Sequence, residues 1–410
     1  MLMGTSEAPK GVGVLAPPST EPGHRSGHRR LATLIVCLAI ALLGFFAVSY
    51  YFQLLRIASV LGFGHRKPRA LLAYDSLFNH VAESKDLTIP GTLGPVNLRI
   101  YSATGVRNPA PIILVHGFAK DGNRDPYLND VAVRLAPMGF YVVLPTIPGE
   151  VKSEMTLDDL SVIDDTIRWT AESTHQKVSV LGVSFGGGLV VPAAARPNVS
   201  KYVKLIICLS GYNDLETIGH YFIHDRVLDP SGQPYKGYPP GPLLIALRYL
   251  DELFAGHDLS SMAAVIDRYN QNNWQPLPPD DPVLSRLSEQ SRMEYEQLQT
   301  VQTEQMKERY RKLLERHREE FKAMSPSSVL PTLKIPIYIL HGKADPVFPP
   351  GEAEWMRQEL RNNPKAHVLI TPWIGHVFVG VPSSRLDHWR TMQFCTEMLG
   401  EAAHRQLLSN

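Results

Sequence analysis

A serine between small residues, Gly182-Val183-Ser184-Phe185-Gly186, follows directly on the apolar run Val178 to Leu181. A serine hydroxyl is a poor nucleophile at neutral pH. It becomes a good one when a histidine within hydrogen-bond reach takes its proton and a third group fixes that histidine's tautomer. Glycines two positions either side of Ser184 allow a tight strand-to-helix turn that pushes the hydroxyl outward. The helix beginning there aims its N-terminal amides at developing negative charge, so the N–H of Phe185 can face the oxyanion formed when Ser184 attacks a carbonyl. Among 15 histidines, His376 is singled out by position, in the loop after the apolar stretch AHVLIT, where a turn can carry an imidazole over the edge of a sheet. The plainer reading of His376 is a surface-loop histidine. Two acids compete to orient it. Asp345 lies in YILHGKADPVFPP, just beyond the run Ile337 to Leu340 in a loop stiffened by prolines, and Asp214 lies beyond the run Leu205 to Leu209. Asp345 is preferred, and either carboxylate could accept a hydrogen bond from the imidazole and stabilise the imidazolium. This chemistry is acyl transfer to water through an acyl-enzyme, with no metal or organic cofactor required. His220 and His224 stand one helical turn apart but lack a third ligand nearby, so they are not read as a metal site.

These side chains need a scaffold that brings distant loops together. The runs Ile112 to Val115, Tyr141 to Leu144, Val178 to Leu181, Leu205 to Leu209, Ile337 to Leu340 and Val368 to Ile370 are short, apolar and largely β-branched, as strands buried on both faces should be. Helix-compatible stretches such as Tyr127 to Met138 and Leu157 to Ser173 separate them. The pattern predicts an α/β fold with a mostly parallel central sheet and helices on both faces. Ahead of it, DLTIPGTLGPVNLRIYSATG reads as two short strands around a Gly-Pro turn. Residues 212–330 are too long for a loop. Pro242 to Phe254 reads as an apolar helix, and Leu298, Val301, Met306, Tyr310, Leu313, Leu314, Phe321 and Met324 recur at helical spacing, predicting one long amphipathic helix.

The order Ser184, Asp345, His376, each after a strand, resembles the α/β-hydrolase family, over the chain from about Asp86 to the C-terminus apart from the insertion. The resemblance implies a core of residues 86–211 and 331–410 with a helical cap at 212–330. It assigns the second oxyanion-hole amide, through Val115-His116-Gly117-Phe118, to Phe118, with Ala119 as the lesser alternative and His116 shaping the loop. PTIPGE after Tyr141 to Leu144 departs from the Asp and paired glycines common in relatives. Serine at the turn disfavours relatives that use aspartate there, namely epoxide and haloalkane hydrolases. Small-molecule or lipid esters therefore lead as substrates, ahead of thioesters and amides. An acyltransferase and a non-catalytic binding protein on the same fold are the other readings.

The chain of 410 residues is 44% hydrophobic and 20% charged, enough for a full core and a second small module. Its 41 Lys and Arg balance 40 Asp and Glu, leaving no broad basic surface for nucleic acid. Cys37, Cys208 and Cys395 are widely separated and read as packing residues. The stretch Leu31 to Leu55 carries no charge and is long enough, as a helix, to cross about 30 Å of hydrocarbon. It is expected to be a single uncleaved membrane span, because its apolar run exceeds the roughly 7–15 residues of a secretory signal. Basic residues flank both ends, so charge leaves the side of the hydrolase domain open. Residues 1–30, rich in Pro, Gly and Ser, are expected to be a flexible tail.

Overall fold

The computed structural model describes residues 31–45, 48, 51, 81–254, 258–272, 277–300, 303–377 and 380–404. The chain forms two units, Met1–Phe52 and Gln53–Asn410. In the first, residues 31–45 are helical with every side chain exposed. Among the described residues no helix is long and apolar enough to cross a membrane. The expected span Leu31 to Leu55 lies partly outside the described residues, and the expected tail, residues 1–30, wholly so.

The second unit is built on eight strands: β1 (Ala82–Gly91), β2 (Gly94–Ala103), β3 (Ala110–Val115), β4 (Phe140–Pro145), β5 (Val178–Val183), β6 (Val203–Leu209), β7 (Ile337–Gly342) and β8 (Ala366–Thr371). They lie in the order β1-β2-β4-β3-β5-β6-β7-β8. β1, β2 and β4 pair antiparallel, and every pair from β4 through β3 to β8 is parallel. All six expected parallel strands are present. The first two are longer than expected, at ten residues each, and the turn is Gly91-Thr92-Leu93-Gly94, with Pro95 already in β2. Gly94 takes φ +133°, which a side chain would resist, so the hairpin turns on that glycine rather than on the proline. The sheet therefore starts at Ala82, ahead of Asp86.

Alternation along the strands divides the core in two, because successive side chains leave opposite faces. Ile113, Val115, Val143, Val180, Ile206 and Ile339 pack with the helices Leu157–Thr174 and Phe185–Ala195. Ile112, Leu114, Val142, Leu181, Ile207 and Leu340 pack with the helices Pro126–Leu135 and Arg385–Ala403. Both faces are covered, which is why β3, β5 and β7 are buried at every residue. Cys208 lies in the first cluster and Cys395 in the second, both as free thiols, whereas Cys37 is exposed.

Between β6 and β7 the chain folds into helices from Leu215 to Met324. The expected Pro242 to Phe254 helix is two, Gly241–Arg248 and Leu250–Leu253, separated at Tyr249 (φ −118°, ψ 30°). The expected long helix is broken as well. Glu289–Thr300 stands apart, and Glu304–Arg316 and Arg318–Met324 are divided at His317 (φ −97°, ψ 13°). The apolar spacing still holds, since Met306, Tyr310, Leu313, Leu314, Phe321 and Met324 are all buried. Leu298 and Val301 lie outside the residues whose side chains are described. The ring of His317, at the break, is held on two sides, Nε2 lying 2.7 Å from Glu252 and Nδ1 3.3 Å from Glu320. Within the insertion, the Tyr212 hydroxyl donates to the Met324 carbonyl at 3.0 Å and the Tyr310 hydroxyl to the Pro242 carbonyl at 2.8 Å, while the Tyr212 ring packs 6.2 Å from that of Phe185.

Candidate active site

Parallel strands end on one edge of the sheet, so the loops after β3, β5, β7 and β8 emerge side by side. β5 runs straight into Ser184, which is the N-cap of helix Phe185–Ala195 and adopts φ +57°, ψ −127°. A side chain in that region costs about 1–3 kcal/mol. The strain is held by two backbone anchors: the Ser184 N–H donates to the Leu209 carbonyl at 2.9 Å, and its carbonyl accepts from Gly187 N–H at 2.9 Å. Close approach explains two of the glycines. A Cβ on Gly186 would sit 2.1 Å from the His116 carbonyl oxygen, and one on Gly117 would sit 2.8 Å from Ser184 Cβ.

Ser184 Oγ lies 2.7 Å from His376 Nε2. On the other side of the ring, Nδ1 lies 2.9 and 2.8 Å from the two carboxylate oxygens of Asp345. Asp345 is buried, and its Oδ1 also accepts from the backbone N–H groups of Val347 and Phe348, at 2.9 and 3.0 Å. A carboxylate only accepts, so Nδ1 carries the ring proton and Nε2 is left bare to accept the Ser184 hydroxyl proton. The sequence left Asp345 and Asp214 in competition. Asp214 is used elsewhere: it caps helix Leu215–Phe222 by accepting from Thr217 N–H at 2.9 Å, and it accepts from Ser327 Oγ at 2.8 Å. His220 bonds Asp225 at 2.9 Å, Asp225 is paired with Arg311, and no group able to hold a metal occurs among the described residues.

The loop after β3 lies against the nucleophile. His116 is buried there as a neutral ring, with its pKa pushed down by burial. Ile147 N–H donates to His116 Nε2 at 3.0 Å, so the proton is on Nδ1, which donates to the Gly117 carbonyl at 2.7 Å. The Gly117–Phe118 peptide is planar and trans, so fixing that carbonyl also fixes the direction of the Phe118 N–H. No backbone acceptor for Phe118 N–H occurs among the described hydrogen bonds, and Phe185 N–H, as the first of its helix, has no intrahelical acceptor. The Ala119 carbonyl is drawn into a turn by Gly122 N–H.

Three buried side chains escaped the sequence reading. His341 donates from Nε2 to the Phe348 carbonyl at 2.9 Å and stands 3.7 Å from Asp345, bracing the acid's loop; the strand-ending His-Gly after β7 was its only signal. Phe348 packs edge-on against both Phe185 (4.9 Å) and His376 (5.5 Å). Glu150 is fully buried, 3.7 Å from His116 Nδ1, and neither of its oxygens has a hydrogen-bond partner; burial first, then the Asp159 charge, push its pKa well above the carboxylate range. It occupies the PTIPGE segment where the sequence departs from the pattern of relatives. The cavity over Ser184 and His376 is further lined by Asp125, Tyr127, Tyr238, Leu244, Val347 and Val377. A bare imidazole nitrogen on a strained serine beneath free amides can drive nucleophilic attack on a carbonyl.

No curated protein matches the sequence. Among solved structures, the chain is similar to an esterase of Pyrococcus furiosus (12% identity, covering 80% of this chain and 94% of that one, TM-score 0.43). It is similar also to the acylaminoacyl peptidase of Pyrococcus horikoshii (14% identity, 80% of this chain but 44% of that one, TM-score 0.45) and to an esterase of Pyrobaculum calidifontis (16% identity, 82% and 91%, TM-score 0.42). Residues 96–377, well over half of the chain, match the family model described as X-Pro dipeptidyl-peptidase (S15 family). The chain belongs to that family, a serine hydrolase family of the α/β-hydrolase fold.

Proposed function

We propose that the protein is a membrane-anchored serine hydrolase that cleaves carboxylic esters, with Ser184 as nucleophile, His376 as general base and Asp345 as the acid that orients it. The observation that carries this reading is the unbroken hydrogen-bonded line from Ser184 Oγ through His376 to Asp345, opening into a cavity. His376 Nε2 takes the Ser184 proton as Oγ bonds to the substrate carbonyl carbon. The carbonyl oxygen becomes an oxyanion between the N–H groups of Phe118 and Phe185. Collapse breaks the bond to the leaving alkoxide, which receives the proton from His376. Water then attacks the acyl-enzyme, its proton passes to Nε2 and on to Ser184 Oγ, and the acid departs. The exposed apolar helix at residues 31–45 supports the anchor, because so many bare aliphatic side chains call for a lipid or protein cover.

A peptide substrate is the second reading. The family description favours it, and so does Asp125, a carboxylate lining the same cavity that could hold an ammonium group. The deciding experiment uses the full chain in detergent with a fluorophosphonate probe, p-nitrophenyl esters and Xaa-Pro p-nitroanilides, comparing wild type with Ser184→Ala. Labelling and ester turnover are both expected to vanish in the variant. Turnover of the anilides with none of the esters would transfer the assignment to peptides.

A further inference from the structure

A second cavity lies beside the first and contains neither Ser184 nor His376. Its cavity volume is about 60 Å³, and it shares Phe118, Phe185 and Leu244 with the cavity of the nucleophile. The rings of Phe118 and Phe185 are stacked 3.9 Å apart at 15°, forming the partition between the two spaces. Phe185 is buried and Phe118 is half-buried. Beyond the partition the walls are Met155, Ile218, Ile245 and Leu314, and the insertion supplies three of these four. The charged group at this wall, Arg248, is already paired with Glu320 at 2.5 Å. Lined in the main by apolar side chains, the chamber suits an uncharged apolar chain.

Resting on the ester reading above, we infer that this chamber receives the acyl chain of the substrate, and that the insertion thereby sets acyl-length preference. The direction follows from the chemistry. The leaving group must face His376 Nε2, which protonates it, whereas the acyl group stays on Ser184 and can extend away from His376. The chamber is the space His376 does not line, and it begins at the two residues whose amides face the carbonyl oxygen. An acyl chain entering it passes Phe118. Each methylene buried there raises kcat/KM about fourfold until the chamber is full.

The test measures kcat/KM for p-nitrophenyl esters from acetyl to dodecanoyl, and separately for acetate esters of alcohols of increasing length, in wild type, Met155→Trp and Ile245→Ala. The expected result is a rise with acyl length in wild type and a fall of at least tenfold in the octanoyl-to-acetyl ratio for Met155→Trp. Ile245→Ala, which adds no bulk to the fold, lowers the same ratio severalfold. A rise with alcohol length and none with acyl length would assign the chamber to the leaving group and overturn the inference. A flat profile in both series, with Ser184 still labelled by fluorophosphonate, overturns the inference and leaves the serine mechanism standing. Absence of Ser184 labelling in folded wild type overturns both.

Discussion

Replacing Asp345 with asparagine changes one atom and tests the whole line of proton transfer. In the native protein Asp345 Oδ1 accepts from two backbone N–H groups, and Oδ2 faces His376 Nδ1 at 2.8 Å. An asparagine keeps its carbonyl oxygen on the two backbone donors and turns its NH₂ toward Nδ1. That nitrogen must then accept, so the ring proton moves to Nε2 and the Ser184 hydroxyl loses its base. The productive tautomer returns only if the amide flips, which leaves two buried N–H donors facing NH₂. At about 1–3 kcal/mol for each bond left unmade, the flip costs about 2–6 kcal/mol. This corresponds to a loss of roughly 30- to 10⁴-fold in kcat, and the upper part of the range is expected because tautomer errors in such triads cost about 10⁴-fold. KM should change little. The assay is ester hydrolysis normalised to folded protein, beside Asp214→Ala, which loses a helix cap worth about 1 kcal/mol and keeps its activity. A loss under tenfold in Asp345→Asn, or an equal loss in Asp214→Ala at equal folded fraction, would refute the assignment.

His116→Ala releases the Gly117 carbonyl and with it the direction of the Phe118 N–H; kcat should fall about 10²- to 10³-fold with KM nearly unchanged, as when one oxyanion donor is removed. Gly117→Ala presses a methyl onto Ser184 Cβ, and steady-state kinetics on folded protein should show a kcat loss of at least tenfold, which an unchanged kcat would contradict. Glu352 is fully buried and pushed by burial up to about 8, with Asp214 and Glu359 adding to the shift. The folded state therefore holds a proton that the unfolded chain has released, so stability should fall as pH rises from about 4.5 through 8. Urea denaturation across that range should show Glu352→Gln flattening the decline.

The nucleophile was legible because everything that shapes it is local. A strand, two small residues and a helix start lie within a dozen residues, and the strained φ of Ser184 follows from that turn. His376 was legible by its place after the last strand. What local sequence could not give was the choice of acid, because Asp214 and Asp345 each follow a strand and carry the same chemistry. Contacts in the folded chain decide it: Asp345 holds His376 Nδ1, whereas Asp214 caps a helix and accepts from Ser327. β8 hydrogen-bonds to β7, so the loop carrying His376 emerges beside the loop carrying Asp345, while β6 and Asp214 lie one strand further off, about 5 Å more. His376 must still reach back across β7 and β6 to Ser184 at the end of β5. It does so with its rear face on Asp345 and its edge on Phe348, which also touches Phe185.

The helix breaks and the buried charges were illegible for a different reason. Periodicity reports which face of a segment is apolar, and it reported Met306 to Met324 correctly. It carries no information on whether the axis stays straight, and the break at His317 falls inside a stretch whose apolar pattern runs on unchanged. Charge ordinarily marks the surface, so Glu150 and Glu352 gave no warning that both would be fully buried with pKa values pushed up. Each lies under a functional loop: Glu150 beneath His116, and Glu352 on the amides of Asn213 and Asp214 where the insertion leaves the core. Both oxygens of Glu150 and one of Glu352 lack a hydrogen-bond partner, which costs stability that an apolar residue would not. A buried carboxyl beneath each of these two segments is therefore the kind of local inconsistency that points to function rather than to folding.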